Sequence, residues 1–296
     1  MLAATPALLA ASAWPLAPAR PAAPTPGRAG SPRAVCLDYG LAETLLALGA
    51  APVGLPGPAE YRVWVVEPGL PEGVADVGQR ARPNLERLAA LAPDAVFAAA
   101  DHDPILPLLR RVAPVLRLPV YTPERRPWER SVEAARAIGA WLGRPDDAER
   151  LIAAVEGRHA AARAALAGRA MRPVLLASFL DPRHLRLYGR GCILQAGLDR
   201  LGLRNAWSGQ TGPWGSATVG LEALAPLEDA SLFVFDPRPP DLAAVLDASP
   251  LWRALPFVRA GRVFALPPVL MFGTLPAADR FAAVLAPRLA EALALG

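Results

Sequence analysis

The sequence of 296 residues contains no lysine, so all 31 of its basic side chains are arginines. This absence excludes a P-loop nucleotide site, because the motif of that site requires a lysine. The formal net charge is only +4, and the arginines are spread along the chain instead of forming runs. We therefore predict that the protein has no nucleic-acid partner.

Histidine and cysteine are scarce as well. The histidines at 102, 159 and 184 are too scattered to form a zinc-ligand cluster, so we predict no metal site built from protein side chains. We expect His159 to be solvated and His184 to lie in a turn or hairpin. Cys36 and Cys192 match no metal-ligand spacing. We interpret them as buried small hydrophobic residues, and the sequence leaves open whether they form a disulfide.

Signatures of common enzymes are also missing. The chain has no G-x-S-x-G, no H-E-x-x-H and no G-x-G-x-x-G that opens a helix after a strand. Isolated carboxylates such as Asp38 and Asp181 do not by themselves indicate catalysis. We therefore predict a protein that is not an enzyme and that carries no cofactor.

Residues 1–32 differ in composition from the rest of the chain. They begin with a short apolar run, continue through small residues and proline, and contain A-x-A-like sites near residues 17–19. The run is too short to span a membrane as a permanent helix. No basic segment precedes it, so it is either a truncated export signal or no signal. We favour the export signal and expect an exported, soluble chain. Cys36 follows Arg-Ala-Val, which argues against a lipid anchor.

The chain repeats itself at long range. Laid on each other without gaps, Leu85–Ala99 and Leu221–Phe235 share six of fifteen residues. Upstream of each copy stands a short apolar segment, at 33–38 in the first half and at 173–178 in the second. Each half thus has the order strand, helix, long loop, short helix and strand. This order predicts two similar α/β lobes.

Residues 144–168 separate the two halves and have the pattern of one long amphipathic helix. Pro145 occupies the first helical position, acidic residues follow in the first turn, and Gly168 stands at the end. We predict a stiff rod of roughly 35 Å. The fold class is then α/β, with two Rossmann-like lobes (33–143 and 169–296) joined by one long rigid helix and a ligand cleft between them.

Loops at matching positions of the repeat are expected to face one another across this cleft. The loop before the repeated helix carries Arg80 in the first half, and Trp214 and Ser216 in the second. We therefore expect Arg80 to stand opposite a wall formed by Trp207 and Trp214. The alternative for Arg80 is a surface ion pair with Asp76.

Four segments resemble one known family, the ferric-hydroxamate (ferrichrome-type) siderophore-binding proteins of iron ABC transporters. The segments are "YRVWVVEPGLPEGVADVGQRARPNLERL", "SFLDPRHLRLYG", "NAWSGQTGPWGSATVGLEALA" and "SPLWRALPFVRAGRVFALPPV". The resemblance extends from about residue 33 to the C terminus and indicates the helix-linked class of periplasmic binding proteins. It implies a periplasmic monomer whose shallow aromatic cleft takes an iron(III) siderophore, which holds the metal, and delivers it to an inner-membrane permease.

By position, the resemblance implies that Arg80 bonds the hydroxamate oxygens. A guanidinium is a planar, permanently charged fork of donors and suits this task. The aromatic walls would be Trp64, Trp207 and Trp214, and Ser216 would make a polar contact beside them. Flat apolar rings contact ligands of several shapes without requiring particular hydrogen bonds.

Three positions depart from the pattern of that family. Tyr39 and Leu270 stand where tryptophans are expected, and His102 replaces a ligand-bonding tyrosine. We expect all three side chains to line the cleft, with His102 donating a hydrogen bond in place of the phenol.

Glu86 and Glu222, which the two repeated helices share, would contact arginines of the permease according to the resemblance. The alternative is that each carboxylate simply stabilises the first turn of its helix. Two other functions stay open. One is a heme or cobalamin carrier of the same class, with Tyr39 or His102 as the axial ligand of heme, and the other is a hydrolase that cleaves the siderophore.

Overall fold

The structure is a computed structural model that describes residues 32–294. Two five-stranded sheets form its frame. The predicted leader at 1–32 lies almost entirely outside the described residues. The strands are β1 (Ala34–Cys36), β2 (Gly54–Leu55), β3 (Ala75–Asp76), β4 (Gly78–Gln79), β5 (Arg82–Pro83), β6 (Ala95–Ala98), β7 (Val115–Arg117), β8 (Val174–Phe179), β9 (His184–Tyr188), β10 (Ser216–Gly220), β11 (Ser231–Phe235) and β12 (Val263–Leu266).

The two sheets have matching orders, which confirms the α/β fold with two similar lobes. The first sheet runs β3-β2-β1-β6-β7 with all pairs parallel, and the second runs β10-β9-β8-β11-β12. The sequence repeat places β6 and β11 at the same point of the two sheets, each beside the first strand of its half. The halves differ at β9, which is antiparallel to both β8 and β10. His184 begins β9, so it lies in a hairpin as predicted.

Helices cover the faces of the sheets. They are α1 (Tyr39–Ala47), α2 (Pro58–Trp64), α3 (Leu85–Ala90), α4 (Leu106–Leu109), α5 (Pro127–Trp141), α6 (Pro145–Leu166), α7 (Ile193–Leu201), α8 (Leu242–Ala248), α9 (Pro250–Ala254), α10 (Pro256–Arg259) and α11 (Leu275–Ala294), with 3₁₀ helices at Ala100–Ile105 and Leu221–Leu224. Within residues 32–294, no helix is both long enough and apolar enough to cross a membrane.

Helix α6 occupies the segment for which the long helix is predicted, and it begins with Pro145 at its first position. It packs against α5, α7 and α11. The prediction of a solvated His159 is wrong, because this side chain lies one turn after the buried Val155 and is only 1% exposed. Its Nδ1 lies 2.9 Å from the Val155 carbonyl oxygen, and its ring packs edge-on against Trp128.

The two halves share one apolar core. A single cluster of buried side chains contains residues of α1, α5, α6, α7 and α11, for example Leu45, Ile138, Leu198 and Phe281. Both cysteines are buried free thiols, so the disulfide that the sequence left open is not formed. The halves are therefore held together by packing as well as by the chain connection.

A buried polar contact ties α1 to the start of α11. Glu43, which is fully buried, accepts hydrogen bonds from the backbone nitrogen of Thr274 (2.6 Å) and from its hydroxyl (2.9 Å). The second carboxyl oxygen of Glu43 has no hydrogen-bond partner. Burial raises the pKa of Glu43 to about 8, although the bonds from Thr274 act to lower it. This carboxyl group is therefore neutral in the folded chain at pH below that value.

The segment that leads from β7 to α5, residues 118–126, crosses to the second half. The Tyr121 hydroxyl donates to the Gly273 carbonyl (2.9 Å). The guanidinium of Arg125 donates to both the hydroxyl (2.8 Å) and the carbonyl (2.9 Å) of Thr211. That hydroxyl in turn donates to the Arg190 carbonyl at 2.7 Å. The loop that carries Trp214 is thus fixed by a side chain from the other half.

Replacing Glu43 with glutamine tests the buried contact. The folded pKa is raised above the unfolded value of about 4.3, so the folded chain binds more protons between these two values. Wild-type stability should fall as the pH rises through this interval. Glu43→Gln keeps an acceptor for Thr274 and removes the titration. Between about pH 5 and pH 8, the free energy of unfolding measured in urea should therefore fall less for Glu43→Gln than for wild type, by on the order of 1 to 4 kcal/mol.

The exposed Glu156 provides the control, since Glu156→Gln should retain the pH dependence of the wild-type chain. An identical pH dependence for wild type and Glu43→Gln would show that the buried carboxyl group does not titrate in this interval.

Removing the Arg125 side chain tests the fixation of the Trp214 loop. Arg125→Ala deletes two charge-assisted hydrogen bonds and should lower the free energy of unfolding by about 1 to 3 kcal/mol. Hydrogen exchange measured by mass spectrometry should become faster in residues 209–216. Arg126→Ala removes the same charge one residue later, where the side chain is 67% exposed, and should change neither quantity. Unaltered exchange in Arg125→Ala would contradict the assigned role.

Candidate functional site

Arg80 stands in the two-residue turn between β4 and β5. Its guanidinium donates to the carboxylate of Asp38 (3.2 Å) and to that of Asp101 (2.8 Å). Asp38 follows β1 and Asp101 follows β6, so the three side chains meet beyond the carboxyl ends of parallel strands, where α/β proteins bind ligands. The alternative ion pair with Asp76 is not formed, because Asp76 accepts from the backbone amides of Gly57 and Gly78 instead.

The two carboxylates differ in their surroundings. Asp38 caps α1 by accepting from the backbone nitrogen of Leu41, and burial raises its pKa although Arg80 acts to lower it. Burial would also raise the pKa of Asp101, but the neighbouring imidazole of His102 and the charge of Arg80 hold it below the usual value. Both carboxyl groups hold the guanidinium, and the side chain of Arg80 remains 36% exposed.

Trp214 of the second half lies against this arginine. The central carbon of the Arg80 guanidinium is 5.3 Å from the centre of the Trp214 ring, within the range of a cation–π contact. Tyr121 and Phe272 pack around the same indole, at 5.2 and 5.5 Å between ring centres. We call Tyr121, Trp214 and Phe272 the aromatic wall. Arg80 comes from the first half, and Trp214 and Phe272 come from the second, as the repeat predicts for Arg80 and Trp214. Tyr121 joins them from the crossing segment of the first half.

Ser216 lies on the strand that begins two residues after Trp214. It pairs with Tyr188, and Thr218 pairs with Arg186 on the neighbouring strand β9. Residues directly opposite each other in an antiparallel pair have their side chains on the same face. Arg186 therefore shares a face with Ser216, and its guanidinium lies 5.6 Å from the Phe272 ring.

His102 and Leu270 are buried, which gives no support to the prediction that they contact the ligand. The side chain of His102 is fully buried, with Nδ1 3.1 Å from the Ala99 amide and Nε2 3.1 Å from the Arg80 carbonyl oxygen. It supports the backbone of Arg80 and presents no free polar atom. Leu270 is 8% exposed and belongs to the shared core.

The other predicted side chains differ in burial and in the groups they contact. Trp207 packs against the core of the second half, and its indole nitrogen is buried, so it is not part of the aromatic wall. Tyr39 is half-buried, donates to the Gly57 carbonyl, and has its pKa raised by burial to about 12. Trp64 ends α2 and is 37% exposed. The structure thus brings together Arg80 and Trp214, and Ser216 follows Trp214 by two residues in the chain.

Sequence reasoning missed Tyr121, Arg186 and Phe272. Tyr121 belongs to the crossing segment, and nothing in its local sequence indicates a contact with the second half. Arg186 is one of several arginines in a strand and hairpin that we considered structural. Phe272 stands two residues after Leu270, so the position expected to supply an aromatic ring was displaced by two residues.

Glu86 and Glu222 are both exposed. Each is the second residue of a short helix that leads into β6 or β11 respectively. The Glu222 carboxylate folds back over Gly220. The pair therefore occupies equivalent places in the two halves. Among residues 32–294, no group of three or more His, Cys, Asp or Glu side chains is arranged to hold a metal ion.

Comparison with known proteins shows relatives of the same architecture. The chain is 36% identical over 254 residues to the iron(3+)-hydroxamate-binding protein FhuD of Escherichia coli, covering 86% of this chain and 85% of that protein. It is similar to the crystal structure of the siderophore-binding protein FhuD of Vibrio cholerae with bound Fe3+-Desferal, with a TM-score of 0.83, 32% identity and coverage of 90% and 99%.

A more distant relative is the vitamin B12-binding protein of Salmonella typhimurium, which is 26% identical over 184 residues, or 62% of this chain and 65% of that protein. The sequence profile described as periplasmic binding protein matches residues 34–270. The paired lobes, their shared core and these matches agree, and the chain belongs to the periplasmic binding protein family.

Proposed function

We propose that this protein is the substrate-binding component of an ABC importer and that it binds iron(III)-hydroxamate siderophores between its two halves. One observation carries the proposal. Arg80 is held by Asp38 and Asp101 while its guanidinium lies over Trp214 of the opposite half. The relatives support the substrate class, because the Escherichia coli protein is an iron(3+)-hydroxamate-binding protein and the Vibrio cholerae protein was crystallised with Fe3+-Desferal.

The chemistry of the proposed site fits such a ligand. Two of the five N–H donors of Arg80 bond the carboxylates, which leaves others for the oxygens of an iron-bound hydroxamate. The aromatic wall offers flat apolar surface to the carbon chain of the siderophore, and Ser216 offers a hydroxyl beside it. Tyr39 and Trp64 extend the proposed site on the side of the first half. The iron is cargo and keeps its siderophore ligands.

The alternative ligands are less favoured. An axial ligand for heme would have to come from His102 or Tyr39, but the polar atoms of His102 all have partners within the protein, and the Tyr39 hydroxyl donates to Gly57. The vitamin B12-binding relative matches less of the chain at lower identity than the hydroxamate-binding relative does. The relatives are binding proteins, which disfavours the siderophore-cleaving hydrolase.

Location and partner follow from this function. We propose that the protein acts as a monomer in the periplasm and delivers its ligand to an inner-membrane permease. Glu86 and Glu222 are proposed to meet arginines on the two halves of that permease. Their equivalent, exposed positions on the two lobes support this role, since charged rims steer encounter and set orientation.

A titration of intrinsic fluorescence tests the ligand. A ferric hydroxamate should quench tryptophan emission saturably, and the iron-free siderophore should quench it less. Arg80→Ala should weaken binding by about 1.5 to 3 kcal/mol, the range for a hydrogen bond to a charged group. The exposed Arg82 is the matched control, and Arg82→Ala should leave affinity within about twofold of wild type. Wild-type affinity in Arg80→Ala would remove this arginine from the site.

The docking role is tested by the double variant Glu86→Ala, Glu222→Ala. It should bind the ferric ligand as tightly as wild type and reduce uptake into cells that depend on this protein, because only the encounter with the permease is weakened. Glu156→Ala, on the exposed side of α6, should support normal uptake. Normal uptake by the double variant would leave helix stabilisation as the only role of the two glutamates.

A further inference from the structure

Arg186, which lies beside Phe272 of the aromatic wall, is a cation without an acidic partner. Its guanidinium lies 3.7 Å from the sulfur of Met271 and 5.6 Å from the ring centre of Phe272. No carboxylate within residues 32–294 forms an ion pair with it. At the far end of the same hairpin, Asp181 is occupied by His184 and by two backbone amides.

Arg80 and Arg125 both have hydrogen-bond partners within the protein. Arg80 donates hydrogen bonds to two carboxylates, and Arg125 donates to the hydroxyl and the carbonyl of Thr211. Arg186 is half-buried beside the sulfur of Met271 and the ring of Phe272, neither of which carries a negative charge. A cation that has lost part of its water and has no counter-ion attracts an anion more strongly than a solvated or paired one does.

The position of Arg186 relates it to the bound siderophore. It shares one face of the β9–β10 pair with Ser216 and contacts Phe272, whereas Arg80 contacts Trp214, the neighbouring ring of the aromatic wall. A ligand whose iron-hydroxamate centre lies at Arg80 would therefore direct its peripheral groups along the aromatic wall towards Arg186. A guanidinium receives a carboxylate through two parallel hydrogen bonds.

We propose that Arg186 selects ferric hydroxamates that carry a peripheral carboxylate, an inference that rests on the proposed function. Three hydroxamates neutralise iron(III), so the charge of the complex is set by the group at the end of its chain. Asp101, which could attract a cationic end group instead, already bonds Arg80 and lies beside His102. On the side of the second half, the proposed site thus favours ligands with a negatively charged end group over those with a positively charged one.

A matched ligand series tests this selectivity. The ferric complex of Desferal ends in a primary amine, which is positively charged when free, neutral when acetylated and negatively charged when succinylated. The three complexes share one iron centre. We expect the succinylated complex to bind about tenfold more tightly than the acetylated one, as one charge-assisted hydrogen bond allows, and the amine form to bind most weakly. The difference should shrink as sodium chloride is raised.

Variants locate the effect. Arg186→Gln should bind the acetylated complex as wild type does and lose the preference for the succinylated one, whereas Arg186→Lys should retain most of it. Arg183→Gln makes the same charge change on the exposed turn of the hairpin and should keep the full preference. Because Arg186→Gln should still bind the acetylated complex, a folding defect in this variant is distinguishable from loss of selectivity.

The outcomes separate this inference from the proposed function. Equal affinity of the three complexes, or a preference for the amine form, overturns the selectivity while leaving hydroxamate binding intact. Loss of the preference in Arg183→Gln as well as Arg186→Gln would assign it to overall charge and overturn the role of Arg186. Absence of binding by all three complexes to the wild-type chain would overturn the proposed function itself.

Discussion

The arrangement of the site depends on one arginine that is held in place before any ligand arrives. Arg80 is fixed by carboxylates from the loops after β1 and β6, and His102 supports its backbone from beneath. A long side chain loses conformational freedom when it binds a ligand, and a side chain that is already immobilised has less to lose. In the proposed function, the ion pairs thus hold the guanidinium in place for the ligand, although they occupy two of its donors.

The position of the arginine matters only because the second half stands at a defined place relative to the first. The shared core, the buried contact between Glu43 and Thr274, and the crossing segment with Tyr121 and Arg125 all connect the halves. The last of these also holds the loop of Trp214. The same contacts that stabilise the pair of lobes therefore set the distance between the arginine and the aromatic wall, which links stability of the fold to the geometry of the site.

Much of the fold could be predicted from the sequence because it rests on local patterns. The repeat between residues 85–99 and 221–235 indicated two lobes, and Pro145 with the apolar spacing after it indicated α6. The site could be predicted only in part. Arg80 and Trp214 were placed opposite each other by the repeat, but His102 is buried beneath Arg80, and local sequence does not report burial of this kind. Tyr121 belongs to the aromatic wall and Arg186 lies beside it because of tertiary contacts, which no local sequence pattern encodes.

The most direct test of the account is the position of the iron in a crystal of the protein with a ferric trihydroxamate, located by anomalous diffraction. We expect the iron between the two halves, with hydroxamate oxygens about 2.7–3.2 Å from the guanidinium nitrogens of Arg80 and the carbon chain of the ligand against Trp214. An iron bound elsewhere on the protein, or one bound between the halves without contact to Arg80, would contradict it.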